Sequence, residues 1–297
     1  MAYTQLSSIS RSAVLGVTDW FTANFDAYAV QYPQFCKVVT STLETEKYDS
    51  MANLDPVTEL AEGANFKYGD IEQAYETQIQ NKKFAGGLQF TLESLAYDKY
   101  KVTIEAKGKE LVHIIRDKEE ELGVKSYNEA FSVNLADGVP LCDNSHPLYN
   151  VEGGVNDTLT TGALTPDNMK TAVQMFSQFK NHQGNPMRAF PNQLMTHEYN
   201  MQTVEEICMS ANKAYEFSNT ENKLPTLKAA YSRYLTSTSA WFLRDTRFDH
   251  AVLQFFQGHR NKMDWDEDFD TKNVKGTIYF LGNTGALPRP GIVGSAG

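Results

Sequence analysis

Ile71-Glu-Gln-Ala-Tyr75-Glu-Thr-Gln-Ile79-Gln-Asn-Lys-Lys-Phe84-Ala-Gly-Gly-Leu88-Gln-Phe90-Thr-Leu92 is the stretch on which the fold turns. Ile71, Gln73, Tyr75, Thr77 and Ile79 fall on one face, and Glu72, Ala74, Glu76, Gln78 and Gln80 on the other. After Lys82-Lys83 the alternation resumes with Phe84, Leu88, Phe90 and Leu92. A period of two over this length predicts extended strands, and the break at Lys82-Lys83 predicts a hairpin or ribbon within residues 63–92. Each arm would extend ~35–45 Å at ~3.3 Å per residue. An isolated two-stranded ribbon is marginal in water. One whose better face is only moderately apolar has to lie on another surface.

Working outward, residues 95–123 predict a long helix. Ile104, Leu111, Ile115 and Leu122 form its core stripe, widened by Leu95 and Val112, with Lys and Glu on the other faces. Lys101 to Leu122 would span ~33 Å at 1.5 Å per residue, a spine more than one member of a bundle. Gly108 is an internal weak point, and Gly123 is expected to close the helix as a C-cap. Upstream, Ile9, Ala13, Val17 and Phe21 recur every four residues, as in a short amphipathic helix within an N-terminal arm. Downstream, residues 134–164 are rich in Gly, Pro, Asn and Asp and predict a long excursion of turns.

Thr165-Pro166-Asp167 predicts a capped helix start, with Met169, Ala172, Val173, Phe176 and Phe179 as the apolar face. A strand near Gln193–Thr196 precedes a helix from Asn200 to Ala211, with Met201, Val204 and Cys208 inward. Residues 226–235, 240–245, 251–257 and 276–281 predict strands. A long helix with segregated strands means α+β, not alternating βαβ.

A search for chemistry returns little. No phosphate-binding loop with Gly, Lys and Ser/Thr is present, and the six His and three Cys show no zinc-ligand spacing. Asp264-Trp-Asp266-Glu-Asp268-Phe-Asp270 has the alternation of a calcium loop. It carries Phe269 where the sharp turn needs Gly and Lys275 where the closing Glu belongs, so a solvated acidic turn is the better reading. Cys142 sits four residues before His146, and a cysteine hydrolase pairing Cys142 with a distant His197 is the one enzymatic alternative; an inert, partly buried thiol is the plainer one. No catalytic, cofactor or metal residue is therefore assigned.

The charge balance is −10, from 27 Lys plus Arg against 37 Asp plus Glu, which argues against gripping nucleic acid through its phosphates. Cys36, Cys142 and Cys208 are sparse and odd in number, giving no disulfide framework and fitting a reducing compartment. No run approaches the ~20 apolar residues of a membrane helix, and the N-terminus lacks the form of a signal peptide.

Three segments carry a resemblance. They are Ser12-Ala-Val-Leu-Gly-Val-Thr-Asp-Trp-Phe21 with the stretch through Tyr48; Lys83-Phe-Ala-Gly-Gly-Leu88-Gln-Phe-Thr-Leu-Glu93; and Asp137-Gly-Val-Pro-Leu141-Cys-Asp-Asn-Ser-His146-Pro-Leu148 followed by Gly153-Gly-Val-Asn156 and Leu164-Thr165. In order and spacing the chain resembles the major capsid proteins of tailed phages, the Hong Kong ninety-seven fold, and most closely the Mu-like major head subunits. Cys142 departs from the pattern, standing where an aromatic is common.

The resemblance implies an N-terminal arm (1–31), a peripheral domain in three parts (32–62, 92–165 with the spine helix, 262–297), an extended loop (63–91) and an axial domain (166–261). It implies a virion protein, made in the host cytoplasm, whose copies form hexamers and pentamers around double-stranded DNA without binding it specifically. Ile71, Tyr75, Ile79, Phe84, Leu88 and Phe90 of the extended loop would touch the neighbouring subunit. It further implies a portal, a decoration protein in some members, and a separate scaffolding protein, since no scaffolding segment precedes the body. A tail-tube or decoration subunit is the nearest alternative role.

Overall fold

The computed structural model describes residues 25, 28–52, 57, 59–66, 68, 72–91, 101–210, 222, 227–258, 262–268, 270–271 and 273–297. The arm stripe Ile9–Phe21, Ile71, Leu92 and Leu95 lie outside them, as does the side chain of Ile104.

The first sheet is organised by its longest strand, β12 (Val274–Ala286), whose Val274, Ile278 and Phe280 are buried at every second or fourth position. Along one edge β12 pairs antiparallel with β11 (Lys262–Glu267) and then with β10 (Ala251–Phe256); along the other it pairs with β4 (Lys82–Phe90). β1 (Lys37–Ser41) adds in parallel to β10. Helix α1 (Lys101–Asn128) packs on this sheet through Leu111, Val112, Ile115 and Leu122, all buried. Gly86 makes the approach possible, because a Cβ there would stand 3.0 Å from Leu111 Cδ1.

α1 does not end at Gly123. It continues to Asn128, with Val124 and Tyr127 fully buried, and Gly123 is absent from the glycines with positive φ. Its lack of a side chain serves close approach instead: a Cβ would lie 2.3 Å from the Cβ of Tyr32, in the short 3-10 turn Tyr32–Gln34 packed across the helix.

The predicted hairpin is also corrected. β3 (Gln73–Gln80) and β4 do not pair with each other. β3 pairs antiparallel with β2 (Thr45–Met51), so the ribbon's arms are 45–51 and 73–80, and β4 belongs to the first sheet. Asn81 is the single residue between β3 and β4, too short a link for a two-residue reverse turn. Its side chain is held by Ser41 Oγ at 2.7 Å and the Leu43 carbonyl at 2.8 Å, while buried Gln254 donates to the Ile79 carbonyl (2.9 Å) and Asn81 Oδ1 (3.0 Å). The inward set shifts from odd positions in β3 to even ones in β4 across this anchor. Alternation reports that a strand has a buried face; it does not report the partner.

The second sheet runs β13 (Ile292–Ser295), β9 (Trp241–Arg244), β7 (Gln193–His197), β8 (Lys228–Ser232), with β7 and β8 parallel. It is buried on both faces. Leu194, Trp241, Leu243 and Val293 meet Met169, Ala172, Phe176 and Phe179 of α2 (Pro166–Met175) and the turn after it. Met195, Ala230, Phe242 and Ile292 point the other way, into the core shared with α1. Thr165 caps α2, its hydroxyl accepting the Asn168 N–H at 3.3 Å. The helix expected at Asn200–Ala211 ends at Met209, before extended Ser210: α3 (Met201–Val204) widens into a π turn over Glu205–Met209. Val204, Ile207 and Cys208 are buried, but Met201, at the first helical position, is exposed.

Sheet membership does not follow chain order. β10 lies in the first sheet although it precedes residue 261, and β13 returns to the second although it follows 262. Arg244 on β9, 8% exposed, ties the second sheet to the Tyr32–Gln34 turn and to α1. It donates to Gln193 Oε1 (2.6 Å), the Phe35 carbonyl (2.7 Å), the Tyr127 hydroxyl (3.0 Å) and the Gln34 carbonyl (2.5 Å).

Candidate assembly surface

The ribbon β2–β3 has a fixed root and an exposed tip. At the root, Ile79 is 3% exposed and packs with Val252 and Leu287 of the same chain, with Val39 and Tyr48 against them. Gly285 admits it: a Cβ there would fall 2.6 Å from Ile79 Cδ1. The tight turn between β1 and β2 is tied by Glu46, whose Oε1 accepts from Thr42 N (2.9 Å), Ser41 Oγ (2.9 Å) and Leu43 N (3.2 Å). Those bonds, the Thr42 amide foremost, hold its carboxyl below the usual range. Further out, Lys47 bridges to Glu76 across the strands at 2.9 Å.

Midway, the ribbon leans on the turn-rich excursion. The Tyr75 ring is half-buried and sits edge-on to both Tyr149 and His182, each with centroids 5.8 Å away. A cleft of about 340 Å³ opens there, lined from the ribbon by Asp49 and Tyr75 and from the excursion by Asp137 and His146. The excursion is itself braced: His146 Nδ1 faces Asp137 Oδ2 at 2.7 Å, and His146 Nε2 faces the Leu141 carbonyl at 3.1 Å.

Beyond Met51, side chains turn outward. Met51 and Leu60 are exposed, Val57 is fully so, and Phe66 and Tyr68 are 74% and 90% exposed. These large apolar groups belong to the end of β2 and to the link between β2 and β3, and stand in water.

Those of the residues expected to touch a neighbour that are described also pack within their own chain. Ile79 is a root anchor. Phe84 stacks on Phe280 (5.1 Å), Leu88 packs against the main core, and Phe90 stacks on Trp265 (6.5 Å). Tyr75 is held by the excursion, and Ile71 is outside the described residues. The tip residues Val57, Leu60, Phe66 and Tyr68 carry no periodic signal, scattered as they are among Pro56, Gly63 and Gly69. The available signal was four large apolar residues in a segment too irregular to be core.

The thiols offer no nucleophile. Cys142 is 2% exposed and burial pushes its thiol far up; Gly294 lies so close that a Cβ there would stand 2.5 Å from its Sγ. Cys36 is raised to about 12 and Cys208 to about 11, again by burial. The Asp264–Asp270 run forms β11 and the turn after it. Asp268 there binds Lys275 (2.9 Å) and the amides of Asp270 and Thr271, so the Lys at the failed calcium position takes up the Asp268 carboxylate. Among the described residues no cluster of His, Cys, Asp or Glu has the arrangement of a metal site, and no helix is long and apolar enough to cross a membrane.

The architecture has counterparts among solved capsids. The capsid of Ralstonia phage GP4 aligns with a TM-score of 0.59 at 11% identity, covering 90% of this chain and 91% of that one. The capsid of cyanophage P-SCSP1u gives 0.57 at 10% identity, covering 90% and 88%. The capsid of bacteriophage JBD30, described as decorated with minor capsid protein trimers, gives 0.55 at 13% identity, covering 70% and 92%. At such identities these matches establish the Hong Kong ninety-seven fold. No match is found among curated proteins. The family model for the Mu-like prophage major head subunit gpT matches residues 11–162, just over half of the chain. The chain thus belongs to the Mu-like prophage major head subunits, the major capsid proteins that form the shell of the phage head.

Proposed function

We propose that the ribbon β2–β3 and its tip, residues 45–80, are the extended loop, and that the tip docks on the next copy of the subunit. The observation that supports this is the contrast along one element: a root buried by Ile79, Gln254 and Asn81, and a tip with Phe66 and Tyr68 in water. Burying two such rings on a neighbour offsets the entropy of ordering the projection. Subunits linked tip to body make heterologous contacts that close into rings, consistent with hexamers and pentamers. The unit of α1 and the first sheet acts as the peripheral domain, and the unit of α2 and the second sheet as the axial one. The subunit works without catalysis; the burial of Cys142 supports that reading. A scaffolding protein, a portal and a decoration protein are the partners this role brings, and the acidic balance suits a wall that encloses DNA without holding it.

The test is to replace Phe66 and Tyr68 together by Ser and image the product by negative stain beside wild type, each co-expressed with its scaffold. The subunit folds, by circular dichroism, yet rings and shells fall at least tenfold in yield. Shells at wild-type yield would refute the docking role.

A further inference from the structure

Midway along its length the ribbon meets its own subunit at a cluster that contains a histidine. Tyr75 reaches from β3 into the angle between Tyr149 and His182, and its hydroxyl donates to the Pro147 carbonyl at 3.4 Å. Tyr149 and His182 are joined in turn: the Tyr149 N–H donates to His182 Nδ1 at 3.4 Å, and the Asn150 N–H to the His182 carbonyl at 3.0 Å. Asn150 also reaches back to the ribbon, its Nδ2 donating to Glu72 Oε2 at 3.4 Å. An imidazole that accepts an N–H at Nδ1 carries its proton on Nε2 and is neutral. Protonating Nδ1 sets two N–H groups against each other and places a cation in a half-buried wall.

We propose that His182 is a proton-operated release for the ribbon: neutral, it fastens Tyr149 and seats Tyr75; protonated, it loosens both and frees β2–β3 to swing from its root.

The groups facing His182 are Tyr75, Asp49 and Glu72 from the ribbon, Asp137, His146 and Tyr149 from the excursion, Lys180 on its own segment and Arg289 from the link between β12 and β13. Burial lowers the His182 pKa from its ordinary value, and Asp137 opposes this without reversing it. The sign follows. The fastened state favours neutral His182, so the clasp is at full strength above the ordinary histidine value of ~6.5 and is lost as pH falls through the lowered one. The root anchors at Ile79, Asn81 and Gln254 contain no group that titrates in this window, so the ribbon stays attached while its angle is released. The inference concerns the subunit's own hinge and does not depend on what the tip touches.

Hydrogen exchange on the full chain tests it. Amides of 45–51 and 73–80 are compared at about pH 7.5 and about pH 4.5, the lower point set well under the ordinary ~6.5 because burial lowers His182, corrected for intrinsic rates and at matched assembly state. Wild type gains several-fold in ribbon exchange at the lower pH, while amides around Leu111 and Ile115 do not change. His182→Asn places an uncharged acceptor where Nδ1 stands and stays slow at both values; His182→Lys is fast at both. Ribbon exchange that ignores pH in wild type, or the same rise persisting in His182→Asn, would overturn the proposal.

Discussion

Gly123→Ala sets two physical effects against each other. Inside α1, replacing Gly by Ala favours the helix by about 1 kcal/mol through reduced backbone entropy of the unfolded chain. Against this, the new methyl would lie 2.3 Å from Tyr32 Cβ and 3.2 Å from Tyr32 Cα. Carbon atoms pack at ~3.5–4.0 Å, so the turn carrying Tyr32 would have to retreat by more than an ångström. It has little room to do so. Tyr32 is buried against Phe255, its carbonyl accepts the Phe35 N–H at 2.9 Å and the Cys36 N–H at 3.1 Å, and Gln31 N–H is held by Glu120. Overpacking costs ~1–3 kcal/mol, and a displacement of more than an ångström against a pinned turn belongs at the upper end, ~2–3 kcal/mol, which leaves a net loss of about 1–2 kcal/mol. At ~2–4 °C per kcal/mol for a chain of this size, Gly123→Ala melts roughly 2–8 °C below wild type. Thermal unfolding followed at 222 nm reads this directly. A midpoint equal to or above wild type would mean that helix propensity wins, and that Gly123 is not fixed by the approach of Tyr32.

Three further outcomes follow from buried groups. Arg244→Ala strands the Gln34 and Phe35 carbonyls between the second sheet and α1 and lowers stability by ~1–3 kcal/mol for each acceptor left unpaired, with Arg244→Lys recovering little because one ammonium cannot span four acceptors; a melting loss under ~2 °C would contradict this tie. All three cysteines resist iodoacetamide in the native protein near pH 8 and label together on denaturation, since burial raises each thiol; rapid native labelling of Cys142 would reopen the nucleophile reading. His250 is fully buried with Nδ1 lacking a hydrogen-bond partner, and burial with nearby Arg244 lowers it to about 3. Its contribution to stability is present above ~6.5 and lost as pH falls toward that lowered value, so its imidazole resonance stays neutral through about pH 5; a midpoint near 6.5 would show the site is open to water.

The elements were legible in the sequence because each carries its own period. Leu111, Ile115 and Leu122 mark a helix, Thr165-Pro166 its successor's start, and the alternation through 71–90 a pair of strands, since local backbone geometry alone decides which side chains share a face. The acidic run near Asp268 could likewise be set aside as a calcium loop from its sequence, because that chemistry depends on ligand spacing.

Tertiary structure decided everything that depends on which surfaces meet. The pairing of β3 with Thr45–Met51, the return of β13 to the second sheet and the passage of α1 through Gly123 arise from contacts between residues far apart in the chain. The same holds for the clasp of Tyr75 on Tyr149 and His182, and for the exposure of Phe66 and Tyr68. A sequence period states that a face must be buried. Only the packed molecule states against what, and which apolar residues are left over for another copy.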